Sequence, residues 1–273
     1  MKAITGIGIG VAVGGIMMGA FMEGTNPVTM INIPALLIIC GGTIGVTMAS
    51  TTMGGFMTMP KLAIKAMKGD DHDPARTIQQ MVSLAEKARR NGLLALEEDV
   101  NQIEDAYTRK GLQLVVDGTD SDLVRAILES EVDGMTHRHH HGALNFQSAA
   151  GFAPTIGILG TVMGLVVVLS HLDEPAKLGP HIAGAFLATL YGVGSANIIL
   201  LPIGNKLKAM SSEEANHRYM VMEAILSIQA GDNPRVLGEK LESFVPPADR
   251  GKLGEEPGRA AAAGEPERLK EAA

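Results

Sequence analysis

Four stretches of this chain hold no Asp, Glu, Lys or Arg: Ala3–Phe21, Ile33–Thr52, Phe152–Ser170 and Ile182–Ile203. A bilayer core about 30 Å thick needs about 20 apolar residues in a helix. In that solvent every backbone N–H and C=O must be satisfied within the segment, which leaves the α-helix as the form for such runs. The spacing therefore predicts an all-α membrane protein with four transmembrane helices, surrounded by lipid, and a helical cytoplasmic insert between the second and third. The mean hydropathy of +0.17 is the average of these runs and strongly charged remainder.

The first run follows Lys2 and could be a cleaved signal sequence. It is longer than a usual apolar signal region, however, and "GAFMEG" makes a poor cleavage site, so a retained anchor is expected. Orientation follows the basic residues. The short connection Met22–Asn32 has none and His171–His181 has only Lys177, whereas Lys61, Lys65 and Lys68 follow the second run and Lys206 and Lys208 follow the fourth. Lys and Arg concentrate on the cytoplasmic side, so both termini and the middle insert are expected there. Cys40 is the only cysteine, which rules out an intrachain disulfide and a Cys-based metal cluster. A formal net charge of −7, without aromatic–basic clusters, argues against nucleic acid as a partner.

Five segments are expected: 1–59 with the first membrane hairpin, 60–150 as the cytoplasmic helical insert, 151–204 with the second hairpin, 205–247 as a further cytoplasmic helical segment, and 248–273 as a disordered tail. In the insert, Ile78, Met81, Val82, Ala85 and Ala88 share a helical face. Asp73 and Pro74 form an N-cap and first-turn pair, Gly92 ends or bends that helix, and Thr119 or Asp120 caps another. With few large apolar residues, the insert is expected to extend the membrane helices as a bundle and not to form a core of its own.

Three features of the membrane runs bear on function. Glycines recur four apart at Gly6, Gly10 and Gly14, at Gly41 and Gly45, and at Gly160 and Gly164. That spacing lets helices approach closely in lipid; it serves equally for packing within one subunit or between subunits. Next, no carboxylate or amine lies at depth, although ion-coupled machines keep an ionisable group there. The polar candidates are Thr161, Thr189, Tyr191, Ser195 and Asn197, which can ligate or relay but cannot take up a proton near neutral pH. Any carboxylate on an ion path must come from another chain. Finally, Pro154 is expected in the first turn of the third helix, where a missing N–H costs little, and Pro202 near the end of the fourth, where it should kink the helix and free a carbonyl. Both fall at the cytoplasmic boundary and could act as hinges.

"MTHRHHHG" brings together His137, His139, His140 and His141. Adjacent histidines on one helix point in different directions, and only His137 and His141 have i,i+4 spacing. A basic interfacial segment is favoured over a metal site, and no cofactor is expected.

"APTIGILGTVMGLV", "AFLATLYGVGSANIILLPIGNKL", "AEKARRNGLLALEEDV" and "MEAILSIQAGDNPRVLGEKLESFVPP", in this order, resemble the third and fourth helices, the torque loop and the following segment of the MotA/PomA family of flagellar stator subunits. The resemblance runs from residue 1 to about 247. It implies no enzyme but an inner-membrane stator subunit, a homopentamer around two copies of a MotB-type partner, which supplies the ion-binding aspartate and a peptidoglycan-binding domain. It assigns Thr161 and Thr189, with Ala188 and Tyr191 beside them, to the ion pathway. Pro154 and Pro202 become coupling residues, and Arg89, Glu97 and the neighbouring Arg90 become contacts for a FliG-type rotor switch ring. From spacing alone, Arg89 and Glu97 would simply be solvated on one side of a continuous helix. Sodium-type relatives carry "TTFYG" where this chain has "ATLYG"; Ala188 removes one oxygen ligand, so protons are expected as the transported ion. The alternative is a TolQ/ExbB-like proton-driven transducer, which has three membrane helices.

Overall fold

The structure is a computed structural model that describes residues 4–69 and 73–250. Every regular element among the described residues is helical. The helices are α1 (Ile4–Met22), α2 (Ile33–Ser50), α3 (Met53–Lys68), α4 (Pro74–Asn91), α5 (Glu97–Gln102), α6 (Ala106–Val116), α7 (Ser121–Leu169), α8 (Pro175–Gly194), α9 (Leu201–Ala230), α10 (Pro234–Glu242) and α11 (Pro247–Arg250). Four helical segments are long and apolar enough to cross a membrane. The last two are parts of longer helices. The third apolar run is the C-terminal part of α7, which is 49 residues long. The fourth lies in a continuous helical stretch from Pro175 to Ala230. A bilayer fixes only a minimum helix length, and both helices run on through the junctions of apolar run and polar extension despite Pro154 and Pro202 there.

The expected caps are present. Asp73 accepts hydrogen bonds from the Ala75 and Arg76 amides with Pro74 opening α4, and Gly92 terminates it at φ 83°. A C-terminal residue in that region of φ is nearly free only for glycine. Of the two candidates before α7, Asp120 is the one whose carboxylate accepts from a first-turn amide, that of Asp122. Asn32 caps α2 through the Ala35 amide. The buried face of α4 consists of Ile78, Met81, Leu84, Ala85 and Ala88, so Leu84 takes the place expected for Val82.

The chain forms two compact units, Met1–Asp71 with Gly134–Glu213, and His72–Asp133 with Glu214–Ala273. In the first, α3, α7 and α9 enclose Ala66, Ala143, Phe146, Ile203 and Leu207. α2 packs along α8, and α1 lies against α3 with no buried residue.

The second unit has a core that the insert builds together with the segment after the fourth apolar run. Tyr107, Leu112, Leu128, Ile225, Leu237 and Leu241 are all at most 2% exposed. They come from α6, α7, α9 and α10, so segments from both ends of the chain jointly supply what the insert alone does not. A Cβ at Gly111 would lie 2.5 Å from Ile225 Cδ1, which shows how tightly α6 is seated. The Tyr107 hydroxyl donates to the Leu128 carbonyl, and burial pushes its pKa well above the usual range. Arg218 stacks on that ring, 5.0 Å from its centre. Beside it, Glu223 accepts from Arg125 at 3.1 Å and is paired with Lys240 at 2.7 Å. Burial alone would raise the Glu223 carboxyl, but these two cations more than offset it and hold it below its ordinary value. The expected disordered tail lies outside the described residues from 251 onward; Pro247–Arg250 form a short helical turn.

Candidate functional site

The site is the hairpin of α7 and α8, and small residues make it. A Cβ built on Gly157 would lie 3.1 Å from the Ala188 carbonyl, and one on Gly164 would lie 2.6 Å from Ala185 Cβ. On the facing helix, a Cβ on Gly192 would lie 2.5 Å from the Ala153 carbonyl. Glycine and alanine thus bring two backbones together where lipid offers little hydrophobic drive. Gly160 and Gly164 pack within the subunit, whereas Gly10, Gly14, Gly41 and Gly45 meet nothing within 4 Å.

That close approach sets the two threonines against each other. Thr161 Oγ1 lies 3.1 Å from both the Gly157 and Ala185 carbonyls and hydrogen-bonds Thr189 Oγ1. Thr189 also reaches the Gly157 carbonyl, at 3.4 Å. Four oxygens from two helices converge here. A hydroxyl that only back-bonds its own helix would make just the first of these contacts. Buried Ala188 packs against Gly160 beside the pair and adds no oxygen. Tyr191 is turned elsewhere: its hydroxyl donates to the Met30 carbonyl and accepts from the Asn32 amide, tying α8 to the start of α2. A cleft of about 270 Å³ between α2, α7 and α8 is lined by residues including Asn32, Ile38, Gly164, His181 and Ala185.

Both prolines lie inside long helical stretches. Pro154 is not in a first turn, because α7 begins 33 residues earlier, at Ser121. Its missing N–H therefore removes a mid-helix bond to the Ala150 carbonyl. Pro202 does not close the fourth helix, since α9 continues to Ala230. Just before it, Ser195–Leu200 form a π-helix, and the Leu201 amide donates to the Ala196 carbonyl, five residues back. Widening the helix there accommodates a proline that can donate to neither register. The carbonyl of Val193 accepts from the Asn197 side chain. Sequence reading anticipated irregularity at Pro202 but not its π form.

Arg89 and Arg90 are exposed in the last turn of α4, and Glu97 is exposed as the first residue of α5. They are not on one helix, because Gly92 and a 3₁₀ turn, Leu93–Leu96, intervene. Arg90 reaches Glu86 at 3.9 Å. Of the histidines, His137 and His141 approach each other at 3.3 Å between Nε2 atoms. Among the described residues no three metal-ligating side chains converge. The sequence reading missed two polar pairs that join helices, Thr51 with Asn145 at 3.0 Å and Gln147 with Asn205 at 3.2 Å. A lone amide among small residues gives no sign in sequence of its distant partner.

Residues 99–220 match the MotA/TolQ/ExbB proton channel family. Over 247 residues, 90% of this chain and 95% of the other, the sequence is 36% identical to motility protein A of Borreliella burgdorferi. The chain belongs to the MotA family. It is also 38% identical over 215 residues to the chemotaxis protein PomA of Vibrio alginolyticus, 79% of this chain and 84% of that one. The flagellar MotAB stator complex of Bacillus subtilis contains a chain of the same fold, with a TM-score of 0.86 and 36% identity over 91% of this chain and 98% of that one. The likeness to the stator chain extends over 91% of this chain, well beyond the residues 99–220 that match the model shared with TolQ and ExbB.

Proposed function

We propose that this chain is a flagellar motor stator subunit that, with a MotB-type partner, couples inward proton flow to torque on the rotor. The observation that carries the reading is the likeness of nearly the whole chain to the stator complex of Bacillus subtilis. It is joined by a membrane hairpin that presents converged hydroxyls and no acid. In this proposal the chain lies in the inner membrane with both termini cytoplasmic, and it assembles as a homopentamer around the partner.

Thr161 and Thr189 wall the ion path, and the partner supplies the carboxylate that binds and releases the proton. Ala188 in place of a hydroxyl leaves the wall short of oxygen ligands for sodium, which supports protons. Each elementary charge crossing 100 mV releases about 2.3 kcal/mol. That energy can drive a cycle only if two conformers differ in affinity for the protonated partner. Pro154 and the π segment before Pro202 are the weakened points of the two long helices where such conformers can differ. Arg89, Arg90 and Glu97 are the exposed charges that meet the rotor; charge contacts act at range and need not lock a moving interface.

The test is complementation. In a host lacking its own stator genes, this chain together with the one-span, peptidoglycan-binding protein of its own genome should restore swimming, and either alone should not. Swimming that returns with the partner alone would refute the assignment.

A further inference from the structure

The helix α3 runs between the ends of two membrane spans. Thr51 and Thr52 separate it from α2. Thr51 is extended, at φ −131° and ψ 169°, so the chain changes direction there, and Thr52 caps the new helix by accepting from the Gly55 amide at 3.2 Å. Towards its other end, α3 reaches α1: a Cβ on Gly6, in the first turn of α1, would lie 3.9 Å from Met67 Cε. The 16 residues of α3, at about 1.5 Å each, make it about 24 Å long. It therefore bridges the end of one span and the start of another.

Its sequence, MGGFMTMPKLAIKAMK, divides into three faces. Met59, Leu62, Ala63 and Ala66 pack into the core shared with α7 and α9. At about 100° per residue, Met53, Met57, Ile64 and Met67 fall within about 80° of one another on a second face. These four side chains are between 48% and 70% exposed. Lys61, Lys65 and Lys68, also exposed, lie along one flank of that apolar face. The helix holds no Asp or Glu; the next acids in sequence, Asp70 and Asp71, follow its Gly69 cap.

An apolar face with a basic flank is the pattern of a helix lying in the plane of a membrane surface. Lysine stems run along apolar surface while their ammonium groups reach the polar layer, and anionic head groups attract each lysine held near them. We propose that α3 lies in the cytoplasmic head-group layer, with Met53, Met57, Ile64 and Met67 against acyl chains and Lys61 and Lys68 on the phosphates of anionic phospholipid. This rests on the reading that α1 and α2 cross the membrane with the N-terminus cytoplasmic. The lipid seat braces the point where the chain leaves the bilayer for the insert that bears Arg89 and Glu97.

The chain contains no tryptophan, so a single introduced one reports on its own surroundings. The full-length chain with Met57→Trp is reconstituted in vesicles of phosphatidylcholine and phosphatidylglycerol, either of them brominated near the head-group end of its acyl chains. Val11→Trp, at an exposed position of α1, is the reference within a span, and Met53→Trp is the second reporter should Met57→Trp fail to fold. Brominated lipid should quench fluorescence at both positions. At position 57 phosphatidylglycerol should bind about fivefold more tightly than phosphatidylcholine, the effect of about one lysine near the surface. K61Q/K68Q should abolish that preference. Quenching at position 11 but not at 57 or 53 would show that the α3 face is covered by something other than lipid. A preference that K61Q/K68Q leaves unchanged would show that the lysines do not hold the head groups. Either result overturns the proposal, whereas a failure to quench at position 11 would count against the spans themselves and so against the reading beneath it.

Discussion

Gly192 is where the hairpin leaves least room, and Gly192→Ala gives a worked consequence. The added Cβ would lie 2.5 Å from the Ala153 carbonyl oxygen and 3.1 Å from Gly157 Cα. Both are backbone atoms that cannot rotate away. Reaching an ordinary contact of 3.4 Å requires α7 and α8 to part by about 0.9 Å at this level. That motion stretches the Thr161–Ala185 bond from 3.1 Å and the Thr189–Gly157 bond from 3.4 Å past hydrogen-bonding range. Interhelical hydrogen bonds in lipid contribute about 0.6 kcal/mol each, and overpacking costs about 1–3 kcal/mol. Alanine returns about 1 kcal/mol of helix propensity, leaving a net loss of about 1–3 kcal/mol. On the usual scale for chains of this size, Tm should fall by about 3–10 °C. Gly194→Ala, two residues on, is the matched control, because nothing lies within 4 Å of its Cβ. The assay is thermal unfolding of both variants in the same detergent, followed by swimming speed. Equal Tm and equal speed for the two variants would refute the claim that close backbone approach builds the site.

Three further outcomes follow from the geometry. Thr161→Val keeps the shape but removes the hydroxyl that touches Gly157, Ala185 and Thr189; swimming should fall severalfold while Thr161→Ser retains most of it, and equal speeds for Val and Ser would sink the pathway assignment. Arg89→Glu and Glu97→Arg change only exposed side chains, so stability should move by no more than about 0.5 kcal/mol while torque, measured from a tethered bead, is lost. Glu223 has a depressed carboxyl in the folded chain, so its contribution is full above the unfolded value of 4.5 and is lost as pH falls toward the lower folded value. Glu223→Gln should therefore flatten Tm against pH below about pH 5, and an unchanged acid slope would show that the carboxylate is not held by Arg125 and Lys240.

The parts legible in the sequence were those written in local chemistry. Apolar run length marked the spans, and the Asp73–Pro74 and Gly92 signals marked α4, because each depends on residues within a turn of one another. The core around Tyr107 and Ile225 was hidden, since its halves are more than 100 residues apart and neither is apolar enough by itself. The fusion of the third span into α7 was equally hidden: Pro154 reads as a helix start, yet tertiary packing around Ala150 and Ala153 carries the helix through it. At the site, the resemblance picked out Thr161 and Thr189, and the small residues explain why those hydroxyls meet. Tyr191 could be listed as polar at depth, but its attachment to Met30 and Asn32 is set by a hairpin 160 residues away in sequence, for which a single residue carries no signal.

The account rests on a hairpin that shapes an ion path without owning a titratable group on it. Proton uptake by proteoliposomes holding a set membrane potential tests this directly, with the chain reconstituted alone and with its one-span partner. Flux should require the partner and vanish when the partner's membrane carboxylate is replaced by its amide. Flux through this chain alone, equal to that of the complex, would contradict the account.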